Sequence, residues 1–349
     1  MNRALNSIIS LIPWLLLLGS MEKADGFFDP TERSIANRYR GFFALIVILH
    51  HIAQRVADGG MLYMYLDAGY LAVAVFFFYS GYGLMKKGIS QKKGFFKKRL
   101  PKILFPYVIT MAIYWRIYLI NGDVKDIGSL FSEHYQSDRG ISFLWYVFVY
   151  LSWIAFFGLS LRVIKEDKRI LGVSCLFAVG VILFCLLTIP YFFWVYDTIL
   201  LIPVGCAWQC YEKNIVGWIQ KHYYLFLVVC FMGFIGSCIA RMHPVLLVPA
   251  YMCSAILFVI LLNVVTMKLR LQGKILSFLG AISYEIYVLH GIPITFLKDV
   301  IPSEALWTVS VLLTTMIGAY VMHEIGNRTW NRLAQGQGIM LKERQHAGN

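Results

Sequence analysis

Apolar residues in this chain recur as long blocks rather than in the alternation of a half-buried strand or the one-sided stripe of a surface helix. The blocks occupy 42–57, 66–85, 103–121, 142–161, 170–189, 191–208, 224–240, 244–266, 275–297 and 306–323. A bilayer core of about 30 Å is crossed by roughly 20 such residues as helix, because lipid offers unpaired backbone groups no partner. The pattern therefore predicts an all-α fold, a polytopic membrane bundle of about ten transmembrane helices. A shorter run, 8–18, follows Arg3 and is interrupted by Pro13. Its length resembles a signal-peptide core, but removal would upset the charge balance described below, so it reads as a short interfacial helix in the headgroup region. The expected organisation is a cytoplasmic and interfacial segment 1–40, a membrane domain 41–325 and a cytoplasmic tail 326–349.

Composition agrees with the pattern. Of 349 residues 59% are apolar and 15% charged, against roughly 45 to 50% and 25% in soluble domains, which excludes a soluble enzyme. The excess of 32 Lys and Arg over 19 Asp and Glu would suggest nucleic acid in a soluble chain. Here the cations lie between apolar runs, so membrane orientation explains them and no nucleic-acid partner is expected. Taking the chain before Gly41 as cytoplasmic, 26 of the 32 cations fall on that side, eight of them within 86–102. This predicts a multi-pass plasma-membrane protein with both termini cytoplasmic. The seven cysteines sit in or at the ends of apolar runs without metal-site spacing, so they read as packing residues and no metal is expected.

Ionisable residues at membrane depth are costly, and each is a candidate site. Arg40 stands at the cytoplasmic edge of the first run and His51 follows eleven residues later, about 16 Å deeper at the helical rise. Eleven steps of about 100° return it to the same helix face, whereas His50 points about 100° away. Apolar surroundings favour the neutral imidazole, the form a general base needs. A histidine pair that simply joins helices by hydrogen bonds is the alternative on the residues alone. Glu285 lies about 15 Å into the ninth run and is expected to match His51 in depth. A carboxylate there would orient the imidazole, as a third group does in triads, or would bond Ser283 or Tyr284. His290 lies further along the same run, and Ser80 with Gly81 forms a small-residue notch for close helix approach.

These residues resemble a family. Arg40 and His51, ten residues apart between them, look like the first-helix signature of the acyltransferase family 3 membrane proteins. Phe76 to Gly83 (FFFYSGYG) resembles its Phe-rich stretch, and Phe95 to Tyr107 (FFKKRLPKILFPY) its basic loop running into a Pro-containing helix. Phe143 to Val147 (FLWYV) is similar to its Leu-Trp-aromatic span, with Phe143 where a His often stands. Ile282 to His290 (ISYEIYVLH) matches its late Ser-Tyr-x-x-Tyr helix. The resemblance implies transfer of an acyl group, usually acetyl, from cytoplasmic acyl-CoA to a hydroxyl of an envelope glycan or lipid-linked acceptor. It implies that Arg40, Lys98, Arg99 and Lys102 hold the donor, whose phosphates suit such cations. His51 would be the base, or alternatively a nucleophile forming an acyl-histidine, and Glu285 its orienter, with His290, Trp145 and Tyr284 at the acceptor. Membrane lipid is an expected partner; many members carry an extracytoplasmic hydrolase-like domain that finishes delivery, and here the expectation is either direct transfer or help from a separate extracytoplasmic protein. A transporter or exporter without acyl transfer is the competing reading, since it too places sparse polar groups between about ten spans. Against it, no inverted repeat is visible and the cations concentrate at one mouth.

Overall fold

The computed structural model describes residues 2–87, 94–122 and 141–346; part of the basic loop, 88–93, and the last tail residues lie outside them. Among the described residues the chain is a helical bundle: α1 (Asn2–Gly19), α2 (Arg33–Ala53), α3 (Gly69–Lys87), α4 (Phe95–Ile120), α5 (Trp145–Val163), α6 (Asp167–Thr188) and α7 (Leu201–Cys210) form its first half. The second half comprises α8 (Glu212–Lys221), α9 (Tyr223–Ala240), α10 (Leu247–Thr266), α11 (Lys274–Ala281), α12 (Ser283–Leu289), α13 (Gly291–Phe296) and α14 (Glu304–His346). Two three-residue strands, β1 (Met21–Lys23) and β2 (Leu269–Leu271), pair antiparallel.

Among the described residues seven helices are long and apolar enough to cross a membrane: α1, α4, α5, α6, α9, α10 with its preceding turn, and α14. The ninth apolar run is broken at Ile282, where α11 and the α12–α13 segment bend by 58° and make an eighth span if taken together. The sixth run, 191–208, does not form one long helix. It starts with a single-turn helix at Phe193–Val195 and keeps only the ten residues of α7. Helices α2 and α3 also have spanning length, 21 and 19 residues, and α2 has the more polar composition of the two. The physical reason is the position of α2 inside the bundle. Every residue of α2 from Gly41 to Leu49 is buried, so its neighbours are other helices and it carries polar groups that lipid would penalise.

Lipid supplies little hydrophobic drive between helices, so close packing has to come from small residues. A Cβ on Gly41 would lie 2.6 Å from the backbone nitrogen of Gly280, and one on Gly280 would lie 2.7 Å from the carbonyl carbon of Asn37. These two glycines let the backbones of α2 and α11 touch. The notch expected at Ser80 and Gly81 serves α7 in the same way: a Cβ on Gly81 would meet the Ile202 main chain, and one on Gly205 the main chain of α3.

The N-terminal helix departs from the interfacial reading. It is 18 residues long, about 27 Å, and runs from one end of the bundle to the other. Its first turns meet one end: Asn2 accepts a hydrogen bond from Ser303 (3.0 Å), Arg3 faces Asp58 (3.7 Å) and Ser7 Oγ accepts the Met61 N–H (3.1 Å). Its last turn meets the opposite end, where the Ser20 carbonyl accepts the Gln272 N–H (2.6 Å) beside the β1–β2 pair. Arg38 bonds the Leu271 carbonyl there (3.0 Å). The sequence suggested a shorter helix because the polar residues Asn2, Arg3 and Asn6 precede the apolar core; Asn6 is in fact fully buried. The end bearing Arg38, β1 and β2 is called the basic end below, and that bearing Asn2, Asp58 and Ser303 the far end.

Candidate active site

Helix α2 carries the two leading candidates near its opposite ends. Arg40 borders a cavity of about 680 Å³ at the basic end, lined also by Ser80, Lys98, Arg99, Lys102, Tyr284 and Glu285. A second space of about 730 Å³ adjoins it over the start of α2, sharing Arg40 and Tyr284 and adding Arg33 and Asn37. Arg40 makes one long hydrogen bond, to Asn37 Oδ1 (3.3 Å), and its buried Nε has no partner. It forms no ion pair with a described carboxylate. Arg99 lies over the Phe95 ring at 4.2 Å, a contact that holds its guanidinium at the cavity. A buried guanidinium with unused donors, beside lysines and a second arginine, is suited to an anion such as a phosphate. The Tyr284 hydroxyl donates to the Ile103 carbonyl (2.8 Å), which ties α12 to α4 on the cavity wall.

Glu285 belongs to this mouth. Its Oε1 accepts a hydrogen bond from His323 Nδ1 of α14 at 2.9 Å. The break at Ile282 explains the shift from the expected depth. Ser283 Oγ donates to the Gly280 carbonyl (2.9 Å), and Gly280 abuts Asn37, so the first turn of α12 sits level with Arg40. His290, one helical segment further, is the residue level with His51. His323 went unremarked in the sequence, although an ionisable residue at the end of the tenth apolar run satisfies the same rule that selected Glu285.

The histidines gather at the far end of α2. His51 stacks against Phe143 (4.2 Å between centroids) and His290 (5.1 Å), and Phe143 also stacks on His290 (5.4 Å). Gln54, just past the helix end, bridges His50 and His51. Its Nε2 donates to His50 Nε2 (3.1 Å) and its Oε1 accepts from His51 Nδ1 (3.0 Å). His50 Nδ1 donates to the Tyr65 carbonyl (2.9 Å), so both its ring nitrogens are engaged. The same set leaves His51 as the Nδ1–H tautomer with the Nε2 lone pair available for a proton. His290 repeats the arrangement: Nδ1 donates to the Tyr287 carbonyl (2.5 Å), while Nε2 is fully buried and unpartnered. A Cβ on Gly69 would lie 2.6 Å from His50 Nε2, so only glycine admits this ring placement. Phe143, at the position where a histidine was noted as common, supplies ring contact to two histidines and no proton.

The predicted residues thus form two groups. Arg40, Lys98, Arg99, Lys102, Tyr284 and Glu285 line the mouth. His51 and His290 stack on one another, and neither lines the cavity; Tyr287, which does line it, stands 5.7 Å from the His290 ring. Trp145 stands apart from both, packed on Phe77 and Tyr146 at 6.4 Å. The sequence reading missed Gln54 and Tyr287; Tyr287 was in view inside the ISYEIYVLH block, whereas nothing about Gln54 marks it before the helix end is known.

A histidine with an available lone pair at one end of α2 and a cation-lined cavity towards the other are compatible with group transfer from an anionic donor, and comparison with known proteins narrows the class. No curated protein and no solved structure matches the chain. A family model described as an acyltransferase domain matches residues 37–324, which include Arg40, His50, His51, His290, His323 and every lining residue of the cavity except Trp330. Matched over most of its length, the chain belongs to the acyltransferase 3 family and is a membrane acyltransferase.

Proposed function

We propose that the protein moves an acetyl group from acyl-CoA, bound at the basic end, to a hydroxyl of a cell-envelope glycan or lipid-linked acceptor, with His51 as the general base. The observation that carries this reading is the Gln54 bridge, which commits His51 Nδ1–H to an amide oxygen and leaves Nε2 free to take the hydroxyl proton. Arg40, Arg99, Lys98 and Lys102 would meet the donor phosphates, while Glu285, held by His323, belongs to the donor cavity rather than to the imidazole. His290, with its unpartnered Nε2, would receive a second hydrogen bond from the acceptor. On this reading the attacking oxygen bonds the acyl carbon, the C–S bond breaks, and the proton taken by His51 passes to the departing thiolate. Alignment of a reactive thioester and proton removal supply the acceleration.

The cation bias supports placing the basic end in the cytoplasm of a plasma-membrane protein. Crossing by α1 then sets Asn2 on the extracytoplasmic face, in place of the cytoplasmic N-terminus expected from a helix lying flat. Moving Arg3 across leaves the bias essentially intact.

The test is label transfer from radioactive acetyl-CoA into hydroxylamine-labile ester in native membranes, comparing wild type with His51→Ala, His50→Ala and Arg40→Ala. Loss of a general base costs about 10² to 10⁴ in rate. His51→Ala is expected to fall by that range, His50→Ala to keep measurable transfer, and Arg40→Ala to raise the KM for donor. Wild-type transfer by His51→Ala overturns the assignment of the base. Absence of ester label and of thiol release in wild type overturns the donor and favours an exporter.

A further inference from the structure

Tyr287 belongs to both halves of the site. Its ring forms the cavity wall with Phe76 and Tyr146, standing 5.1 Å from the Tyr146 ring. The other side of the residue faces the histidines: the ring lies 5.7 Å from His290, and its backbone carbonyl is the acceptor for His290 Nδ1. Its hydroxyl donates to the Phe143 carbonyl, and the Phe143 ring is the one stacked on His51. The side chain is 4% exposed, is carried by α12, and its hydroxyl donates a neutral hydrogen bond. Such a bond has a small net strength, because its donor can exchange one partner for another.

Water has access to the histidine side. Gln54, bonded to both His50 and His51, is exposed at the far end, and His51 itself is partly exposed. A thioester brought beside a general base in that setting has two fates. With a glycan hydroxyl, the new bond is an ester. With water, the water oxygen bonds the acyl carbon, the C–S bond breaks, and the proton goes by way of the imidazole to the thiolate, giving free carboxylic acid and CoA thiol. An enzyme that transfers rather than hydrolyses must keep the two compartments apart until the acceptor has displaced water.

We propose that Tyr287 is the residue that couples donor use to acceptor binding: its ring partitions the donor cavity from the histidines, and displacement of that ring joins the two sides once a hydroxyl acceptor sits beside His51. The inference rests on the donor reading above and adds to it a positioning residue whose loss changes the fate of the acyl group. The hydroxyl bond to Phe143 sets the closed position, and the aromatic ring itself is the barrier. Removing the ring therefore has a different consequence from removing the hydroxyl.

The experiment uses the full chain in nanodiscs and follows thiol release from acetyl-CoA with and without n-octyl-β-glucoside as a hydroxyl acceptor, alongside ester formation. Tyr287→Ala is expected to raise acceptor-independent thiol release about tenfold while lowering ester formed per thiol released. Tyr287→Phe keeps the ring and is expected to raise that release less than about threefold. Adding His51→Ala to Tyr287→Ala should abolish the leak, which ties it to the same base. If the alanine variant does not elute as a monodisperse species, Tyr287→Leu carries the same expectation with a smaller rise. Folded Tyr287→Ala that neither leaks nor loses yield, in a system where wild type makes ester, overturns the partition. Wild type that makes no ester and releases no thiol refutes the donor reading instead.

Discussion

Replacing Gln54 with methionine tests the geometry of the base most directly. The substitution keeps length and removes both amide hydrogen bonds, at 3.0 Å to His51 and 3.1 Å to His50. Each such bond has a net strength of about 0.5 to 1.5 kcal/mol, and only the first bears on the base. Freed of it, His51 samples its other tautomer and other ring orientations. A loss of about 1.4 kcal/mol corresponds to a tenfold fall in rate, so kcat should drop about tenfold. The KM for acyl-CoA should stay within about twofold, since Arg40 and the cavity lie at the other end of α2. Gln54→Glu retains an acceptor for His51 Nδ1–H and loses the donor to His50, and it should recover kcat to within about threefold of wild type. The assay is steady-state ester formation with saturating acceptor. A Gln54→Met kcat within twofold of wild type, or equal losses in both variants, refutes the tautomer argument.

Other outcomes follow from the packing and the ends of the bundle. Gly280→Ala places a methyl 2.7 Å from the Asn37 carbonyl carbon and 2.8 Å from its Nδ2; because one of these neighbours is main chain, the overpacking should cost about 1 to 3 kcal/mol. Its thermal inactivation midpoint in detergent should fall, and an unchanged midpoint would show that α2 and α11 do not touch. Asn2→Cys and Lys274→Cys should react with an impermeant thiol reagent from opposite faces of sealed vesicles, and labelling from one face would disprove the crossing of α1. At the basic end, Arg270 and Gln272 hold the Glu22 carboxylate below its ordinary range. A depressed carboxylate contributes stability that is complete above its unfolded value and fades as pH falls through the lowered one. Protection of the Met21–Lys23 amides, corrected for intrinsic exchange, should therefore stay level from about pH 7 to about pH 5 and weaken only under stronger acid. A decline between those two values would exclude Glu22 as the group responsible.

Block length and composition were enough to read the bundle, because lipid imposes the same constraint on every span. Depth was harder. Counting from Ile275 put Glu285 level with His51 only while the ninth run was taken as one straight helix; the bend at Ile282 moved it to Arg40. That bend has no proline at it and depends on how Gly280 packs against Asn37, a contact 243 residues away in the chain that periodicity cannot encode. Helix α1 was underestimated for a related reason: Asn6 reads as polar and surface-bound until the bundle closes around it. The cations of the mouth were legible as a cluster, and Arg40 and His51 as a pair on one helix. The tautomer of His51 was not, since it depends on a glutamine beyond the helix end whose two amide atoms are assigned by their partners.

The first helix also constrains the order of assembly. It is synthesised ahead of the other spans described above, yet Ser303 and Gln272, which secure its two ends, follow it by about 250 residues or more. Until then it can be steadied only by its early neighbours, such as the Tyr65 hydroxyl on the Ser10 carbonyl and the Trp14 ring against Phe42. Contacts this distant in sequence impose a large closure entropy and form late. A ribosome-bound chain therefore carries α1 loosely held until those later segments emerge, a period in which membrane insertases and quality-control proteases have their best opportunity to engage it.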